Sequence, residues 1–252
     1  GKSFSGVELK RQKKDGSIID ISLATAPIRD HSGNITGILG IISDITDNKK
    51  TLARVALSEQ NLRKLFYQTI EAMSVIVETK DPYTSGHQRR VGNLANKIAE
   101  KMKLSPDQRE MIKLASMVHD IGKIYIPQSI LSKPGRLSDI EFSLIKLHPQ
   151  NSYEILNSID FPWPIAELVL QHHERIDGSG YPRQLKGDEI MLESKILAVA
   201  DVVEAMAAHR PYRPAPGIEQ ALKEINKNKG KLYDPVVVEI TNQIIKDKEI
   251  IL

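Results

Sequence analysis

Residues 172–182 read His172-His173-Glu174-Arg175-Ile176-Asp177-Gly178-Ser179-Gly180-Tyr181-Pro182. Two adjacent imidazoles and a carboxylate run into a glycine-rich turn that closes on Gly180-Tyr181-Pro182. Adjacent imidazoles suit a metal ion, because histidine is the commonest protein metal ligand. Glycines beside them suit a ligand lying close to backbone. A companion element stands upstream, His119-Asp120-Ile121-Gly122-Lys123. Of the seven histidines, five (His87, His119, His148, His172 and His173) fall in one segment, each beside a turn, a proline or a carboxylate.

The stretches between these histidines have helical periodicity. Val91, Leu94, Ala95, Ile98, Ala99 and Met102 form one apolar stripe. Ser105-Pro106-Asp107-Gln108 is a capping box with proline at the first helical position. The helix that follows carries Met111, Leu114, Ala115 and Val118 and is expected to end at Gly122. Ser138–Glu141 is a second capping box, opening a helix that His148-Pro149 should close. Ile165–Leu170 is an apolar helix leading into the quoted stretch. Lys195–Ala208 is apolar and alanine-rich, as a buried helix is. Asp234-Pro235 opens a last helix with Val237, Val238 and Ile240. Residues 67–252 are therefore expected to be an all-α domain, and the chain mainly α.

Residues 1–46 differ. Val7–Lys13, Ser17–Ala26 and Thr36–Asp44 have strand composition, punctuated by Asp15-Gly16 and Ser32-Gly33-Asn34, which are turn signals. Ile19, Ile21 and Leu23 alternate with Asp20 and Ser22. Three strands alone are a marginal fold. The text KKDGSIIDISLATAPIRDHSGNITGILGIISDITDNKK (residues 13–50) resembles the C-terminal strands of a PAS sensor domain, with Asp44-Ile45-Thr46 where such domains pass into a helix. The resemblance covers about the last third of a PAS domain. Residues 47–66 read as a helical linker in which Leu52, Val55, Leu62, Leu65 and Phe66 recur at coiled-coil spacing. A homodimer through this helix is the expectation.

Composition excludes several classes. The 252 residues are 40% hydrophobic and 27% charged, an ordinary globular balance. A net charge of +3 does not call for a nucleic-acid polymer but suits a small anion at a concentrated site. With no cysteine there is no thiol chemistry and no disulfide frame. No apolar run reaches the roughly 18–20 residues of a membrane span, and no signal-peptide pattern is present. A cytoplasmic protein is expected, and the start at Gly1 on strand-like sequence suggests a piece of a longer chain.

Asp201 stands in ILAVADVVEAM, a stretch otherwise fit for a core. A buried carboxylate is costly unless it is paired or bound to a cation. Its bland reading is an ion pair with Lys195 or Arg210. Five histidines with Asp120 and Asp201 exceed one tetrahedral site and suggest two metals about 3.5–4 Å apart. Mixed histidine and aspartate ligands without cysteine favour iron, manganese or zinc. Such pairs suit phosphoester hydrolysis, because they acidify a bridging water and neutralise phosphoryl oxygens. Lys123 stands one turn from His119, within reach of a phosphate. No serine elbow or P-loop offers another chemistry.

The segment from about Tyr67 to Ile240 resembles the HD-GYP family of cyclic di-GMP phosphodiesterases, a branch of the HD superfamily of metal-dependent phosphohydrolases. DPYTSGHQRRV, HDIGKIYIP, ILSKPGRL, LHP, HHERIDGSGYP, ADVVEAMAAHRPYR and YDP carry the likeness. It implies an all-α HD-superfamily helical domain over residues 67–252. It implies that His87, His119, Asp120 and Asp201 hold one divalent ion, iron or manganese. Asp120 would bridge to a second ion completed by His148, His172 and His173. Lys123 would contact the scissile phosphate, Tyr181 a guanine, and Arg210 and Arg213 the substrate phosphates. The product would be linear pGpG with slower cleavage to GMP, because Tyr83 stands where some members place a glutamate for a third metal. A hybrid cyclic GMP-AMP, or another phosphoester, is the alternative substrate. A protein-interaction module using the GYP surface, with a GGDEF-type partner, is the alternative role. From the residues themselves, Glu174 is expected to orient a histidine, Asp177 to hold the turn, and Gly178 and Gly180 to adopt angles closed to other residues. His31 and His209 are read as surface residues.

Overall fold

The computed structural model describes residues 2–80, 86–207 and 217–250. The chain divides into two compact units, Gly1–Tyr67 and Gln68–Leu252.

The first unit holds β1 (Phe4–Gln12), β2 (Ile18–Arg29) and β3 (Ile35–Asp44) in one antiparallel sheet of order β1-β2-β3. Asp15 and Asp30 build the two turns. Asp15 Oδ1 accepts from Ser17 N, and Asp30 Oδ1 accepts from Ser32 N and Asn34 N, each at 2.9 Å. The register pairs Leu23 with Val7 on one side and with Ile42 on the other. Helix α1 (Thr46–Lys80) starts on this sheet: Asp20 N donates to Thr46 Oγ1 at 2.9 Å, and Lys49 pairs with Glu8 and Asp20. The helix does not stop at residue 66 but runs on for 35 residues in all, because no glycine or proline interrupts it. Within the first unit Leu52, Val55, Leu62 and Leu65 are exposed.

The second unit is helical. It comprises the last part of α1, then α2 (His87–Lys101), α3 (Pro106–Val118), α4 (Gln128–Leu131), α5 (Asp139–Ile145), α6 (His148–Leu156), α7 (Ile165–Leu170), α8 (Leu192–Ala207), α9 (Ile218–Lys227) and α10 (Pro235–Lys246). Short 3-10 turns cover Ile121–Tyr125 and Gly187–Glu189. α2 packs on α3, α8 and α10, and α7 packs on α3 and α6. Val91, Leu94, Ile98, Ile112, Leu168, Ile196 and Leu197 are fully buried between them. Each such side chain contributes about 1.5–3 kcal/mol by leaving water. Both capping boxes form: Ser105 and Gln108 satisfy each other's backbone N–H, as do Ser138 and Glu141. Asp234 caps α10 by accepting from Val236 N and Val237 N.

Two boundaries differ from the sequence reading. α3 ends at Val118, with His119 as its C-cap, and a 3-10 turn follows instead of helix up to Gly122. A Cβ on Gly122 would lie 2.2 Å from His148 O and 2.5 Å from Ser152 N, so the turn is pressed directly onto α6. His148 opens α6; it does not close the helix before it. Among the described residues no helix is long and apolar enough to cross a membrane.

Candidate metal centre

Five helices and their ends deliver the seven predicted ligands to one place. His87 is the first residue of α2, His148 the first of α6, and Asp201 lies inside α8. His119-Asp120 follows α3, and His172-His173 follows α7 one residue beyond its C-cap. The His87, His119 and Asp201 donor atoms lie within 4.8 Å of one another, as do those of His148, His172 and His173. His119, Asp120 and His172 make a third such set between the two.

Asp120 divides its oxygens. Oδ1 is 3.4 Å from His148 Nε2, whereas Oδ2 is 3.6 Å from His119 Nε2 and 4.0 Å from His87 Nε2. Asp201 Oδ1 is 3.2 Å from His87 Nε2 and 3.9 Å from His119 Nε2. His148 Nε2 and His172 Nε2 stand 3.2 Å apart. His119, His148 and His172 turn Nδ1 toward the backbone carbonyls of Ser116, Ile145 and Val169. Nδ1–H donation of this kind leaves Nε2 as the free lone pair facing the cluster.

Burial sets the protonation. It pushes His148 down to about 4, with Asp120 only partly opposing it. Burial also pushes His172 and His173 well below the usual imidazole range. Neutral imidazoles are the form that binds metals. Burial alone would raise Asp120 and Asp201. Lys123 and the imidazoles around Asp120, and the His87 hydrogen bond on Asp201, outweigh it and hold both carboxyls well below their ordinary range. His87 goes the other way: burial would lower it, but Asp201 and Glu204 raise it to about 9.

The donor set fits divalent ions. His119 Nε2 is buried with no hydrogen-bond partner among the described residues, aimed at Asp120 and Asp201. A buried orphan nitrogen is rare unless something unseen satisfies it, and imidazole with carboxylate suits iron, manganese or zinc.

The quoted loop forms one wall. Tyr181 stacks its ring 4.8 Å from that of His173, tilted by 33°. Burial raises its phenol above the ordinary tyrosine value. Lys146 Nζ lies 5.5 Å from the same ring centroid. Among the described residues the Glu174 carboxylate is hydrogen-bonded to backbone and not to a histidine. The buried carboxylate accepts from the N–H groups of Arg183, Gln184 and Leu185 at 2.7–3.1 Å, tying down the chain beyond Pro182. Asp177 holds the turn as expected, accepting from Ser179 N at 2.9 Å. Gly178 has the positive φ of 83° that the reading asked for. Gly180 is required for another reason, close approach: a Cβ there would lie 2.4 Å from Arg175 N and 2.5 Å from Glu174 Cα.

Lys123 Nζ meets Asp120 Oδ2 at 2.7 Å. Lys195 faces Asp188 and not Asp201. His31 is exposed. Tyr83, His209, Arg210 and Arg213 lie outside the described residues. Sequence reasoning passed over Glu204 and Ser152. Glu204, one turn beyond Asp201, is hydrogen-bonded to His87 Nδ1 and was legible as a second acid in a buried helix. Ser152 Oγ donates to His119 O at 2.9 Å and accepts from Gly122 N at 2.8 Å, a role with no sequence signal.

A family model described as an HD domain matches residues 71–237. A cyclic di-GMP phosphodiesterase of Thermotoga maritima is 43% identical over 183 residues, 72% of this chain and 50% of that protein. The 3′3′-cGAMP-specific phosphodiesterase 3 of Vibrio cholerae is 37% identical over 166 residues, 66% of this chain and 36% of that protein. The chain thus spans half or less of the length of these two relatives. The HD domain of the L. monocytogenes phosphodiesterase PgpH in complex with cyclic-di-AMP has the same fold. It superposes with a TM-score of 0.52 at 19% identity, over 70% of this chain and 96% of that one.

Proposed function

The chain belongs to the HD domain family, and from that premise we propose that it is an HD-GYP phosphodiesterase that hydrolyses cyclic di-GMP to linear pGpG. One observation carries the reading: Asp120 turns one oxygen to His148 and the other to His119 and His87, so a single carboxylate faces two donor groups. The cyclic di-GMP phosphodiesterase named among its relatives supports the substrate. His87, His119, Asp120 and Asp201 would hold one divalent ion, and Asp120, His148, His172 and His173 a second, iron or manganese. When bound, the ions supply positive charge for the phosphoryl oxygens and acidify a water.

The chain's own residues do the rest. Asp120 and Asp201 stay ionised at neutral pH and His148, His172 and His173 stay neutral, so these five donors need no rearrangement of protons, whereas His87, raised to about 9, gives up a proton when an ion binds. Lys123 brings an ammonium to the edge of the cluster, where it would meet the scissile phosphate. Tyr181 keeps its hydroxyl proton and lays its ring beside His173, a surface for a guanine. Hydrolysis breaks one P–O3′ bond and leaves a 5′-phosphate and a free 3′-hydroxyl. Arg210 and Arg213 would contact phosphates. Tyr83 in place of a glutamate favours two ions over three, and pGpG over GMP.

The test pairs elemental analysis of the purified protein with product identification from cyclic di-GMP. Two equivalents of iron or manganese and pGpG are expected, with turnover abolished in Asp120→Ala. Metal-loaded protein that leaves the dinucleotide intact overturns the reading. Lys123→Ala should lower kcat by about 10²–10³-fold, as loss of a phosphoryl clamp does. The cGAMP-specific relative supports a second substrate, 3′3′-cGAMP. Ranking both dinucleotides by kcat/KM with one enzyme preparation decides between them.

The regulatory reading is that the strands of residues 1–46 are the end of a PAS domain. Residues 47–66 would then pair with a second copy through the exposed Leu52, Val55, Leu62 and Leu65. Inserting residues there to shift helical phase should change turnover, and equal rates across a series of insertions would remove the idea. A GGDEF-type protein would be the partner at the GYP surface. Its capture should survive Asp120→Ala and fail on Tyr181→Ala.

A further inference from the structure

His87 is held unlike its neighbours. His119, His148 and His172 each set Nδ1 against a carbonyl three residues back, at 2.9, 2.8 and 2.5 Å. His87 is the first residue of α2. Its Nδ1 is bonded instead to the carboxylate of Glu204, which is 1% exposed. Its Nε2 lies 3.2 Å from Asp201 Oδ1. Asp201 and Glu204 are three apart on α8 and share a face, so one helix grips both nitrogens of one ring. Arg90, three residues along α2 from His87, donates from Nε to Glu204 Oε1 at 2.6 Å and fixes that carboxylate.

The two donor groups are therefore unequal. His148, His172 and His173 form an all-imidazole set that shares Asp120. His87, His119 and Asp201 include a carboxylate of their own, and Glu204 stands behind His87. A carboxylate on the distal nitrogen fixes the tautomer and makes the imidazole a more basic ligand. Its negative charge, held out of water, also attracts a cation more strongly than an exposed one would.

We propose that Glu204, fixed by Arg90, is a positioning residue that makes the His87-His119-Asp201 group the tighter of two metal subsites. This deepens the metal-centre reading and rests on it. The test is calorimetric titration of the metal-stripped chain with Mn²⁺, followed in parallel by the Mn²⁺ paramagnetic resonance signal. The unsubstituted chain should show two classes of site. Glu204→Gln should weaken the tighter class by about 10–100-fold, the usual cost of losing such a partner, and leave the weaker class in place. Arg90→Lys should move the same class by less, and it decides the matter if Glu204→Gln does not fold. Thermal midpoints in EDTA confirm that the variants compared are folded. Variants that titrate like the parent, or that weaken both classes equally, overturn the positioning role alone. A parent chain that binds no Mn²⁺ overturns the metal centre and this proposal with it.

Discussion

In the helical unit Leu94, Ile98, Ile196 and Leu197 are fully buried, and His119, Asp120 and His172 are buried among such side chains at 2% exposure or less. In the sheet, Ile21 is the one buried strand residue among those described, while Ile38, Ile41 and Ile42 are 74%, 60% and 66% exposed. Ile41 and Ile42 point to opposite faces, so neither face of β3 is covered within its unit. Polar groups can be kept in a low-dielectric interior only where packing fixes every partner. The helical unit provides that rigidity and its site depends on it. The sheet has apolar side chains without a matching interior, so substitutions in the two regions should differ sharply in cost.

The largest effect is expected at Gly122. An added methyl would lie 2.2 Å from His148 O, 2.5 Å from Ser152 N and 2.8 Å from Ser152 Oγ, and two of these atoms are backbone. Gly122→Ala should destabilise the helical unit by about 3 kcal/mol or more, the upper range for overpacking. It should also cost metal binding, because Asp120 and His148 sit on the two surfaces forced apart. The single tryptophan, Trp163, lies in this unit, so denaturant unfolding followed by its fluorescence reads the unit directly. An unchanged midpoint would show that the contact yields and that the interior is softer than the comparison holds.

A smaller, more local effect should follow Glu174→Ala. Three backbone N–H groups lose their shared acceptor. Each part-buried donor left unsatisfied costs about 1–3 kcal/mol, though water can reach residues 183–185 and reduce that. The loop should loosen while the donor cluster stays whole. KM for the dinucleotide should then rise, with metal stoichiometry preserved. Loss of metal together with KM would mean that the loop and the cluster are one unit. Ser74→Ala comes next. Ser74 Oγ on α1 donates to Met117 O, just before the His119-Asp120 turn. Removing one hydrogen bond should cost about 1 kcal/mol, measured by the same fluorescence.

How much of this was legible follows from where each signal lives. The capping boxes at Ser105 and Ser138 are local, and both form as read. His148 was assigned to the wrong helix because only Lys146 and Leu147 separate α5 from α6, too short a break for periodicity to register. Gly180 was assigned to a backbone angle, but its reason is a neighbour, Glu174 Cα, and close approach leaves no local trace in sequence. The seven side chains that the structure gathers in one place were picked out by residue type and context. Glu204 was not, because a second acid in a buried helix gains meaning only when α2 brings His87 against it. The strand alternation of Ile19, Ile21 and Leu23 was visible. What covers the faces of β3 was not, since alternation marks an apolar face and says nothing about its partner.

The smallest effect is expected on that sheet. Ile38 is 74% exposed and lies opposite Pro27, so a serine there removes little buried surface within the unit. Ile38→Ser should change stability by no more than about 0.5 kcal/mol, as exposed positions usually do. Trp163 fluorescence cannot report it, so hydrogen exchange of the β2 and β3 amides is the measurement. If the exposure of Ile38 holds in solution, exchange in the variant matches the parent strand by strand. If protection collapses by an equivalent of about 1.5–3 kcal/mol, the transfer energy of a fully buried isoleucine, then Ile38 is a buried residue in the working assembly. The contrast between the two units would then describe a single copy and not the functional particle. Repeating the exchange on Leu62→Asp, which places a charge on the exposed stripe of α1, distinguishes the two sources of cover. Protection lost in both variants points to a second copy, and protection lost only in Ile38→Ser points to a contact made by the sheet itself.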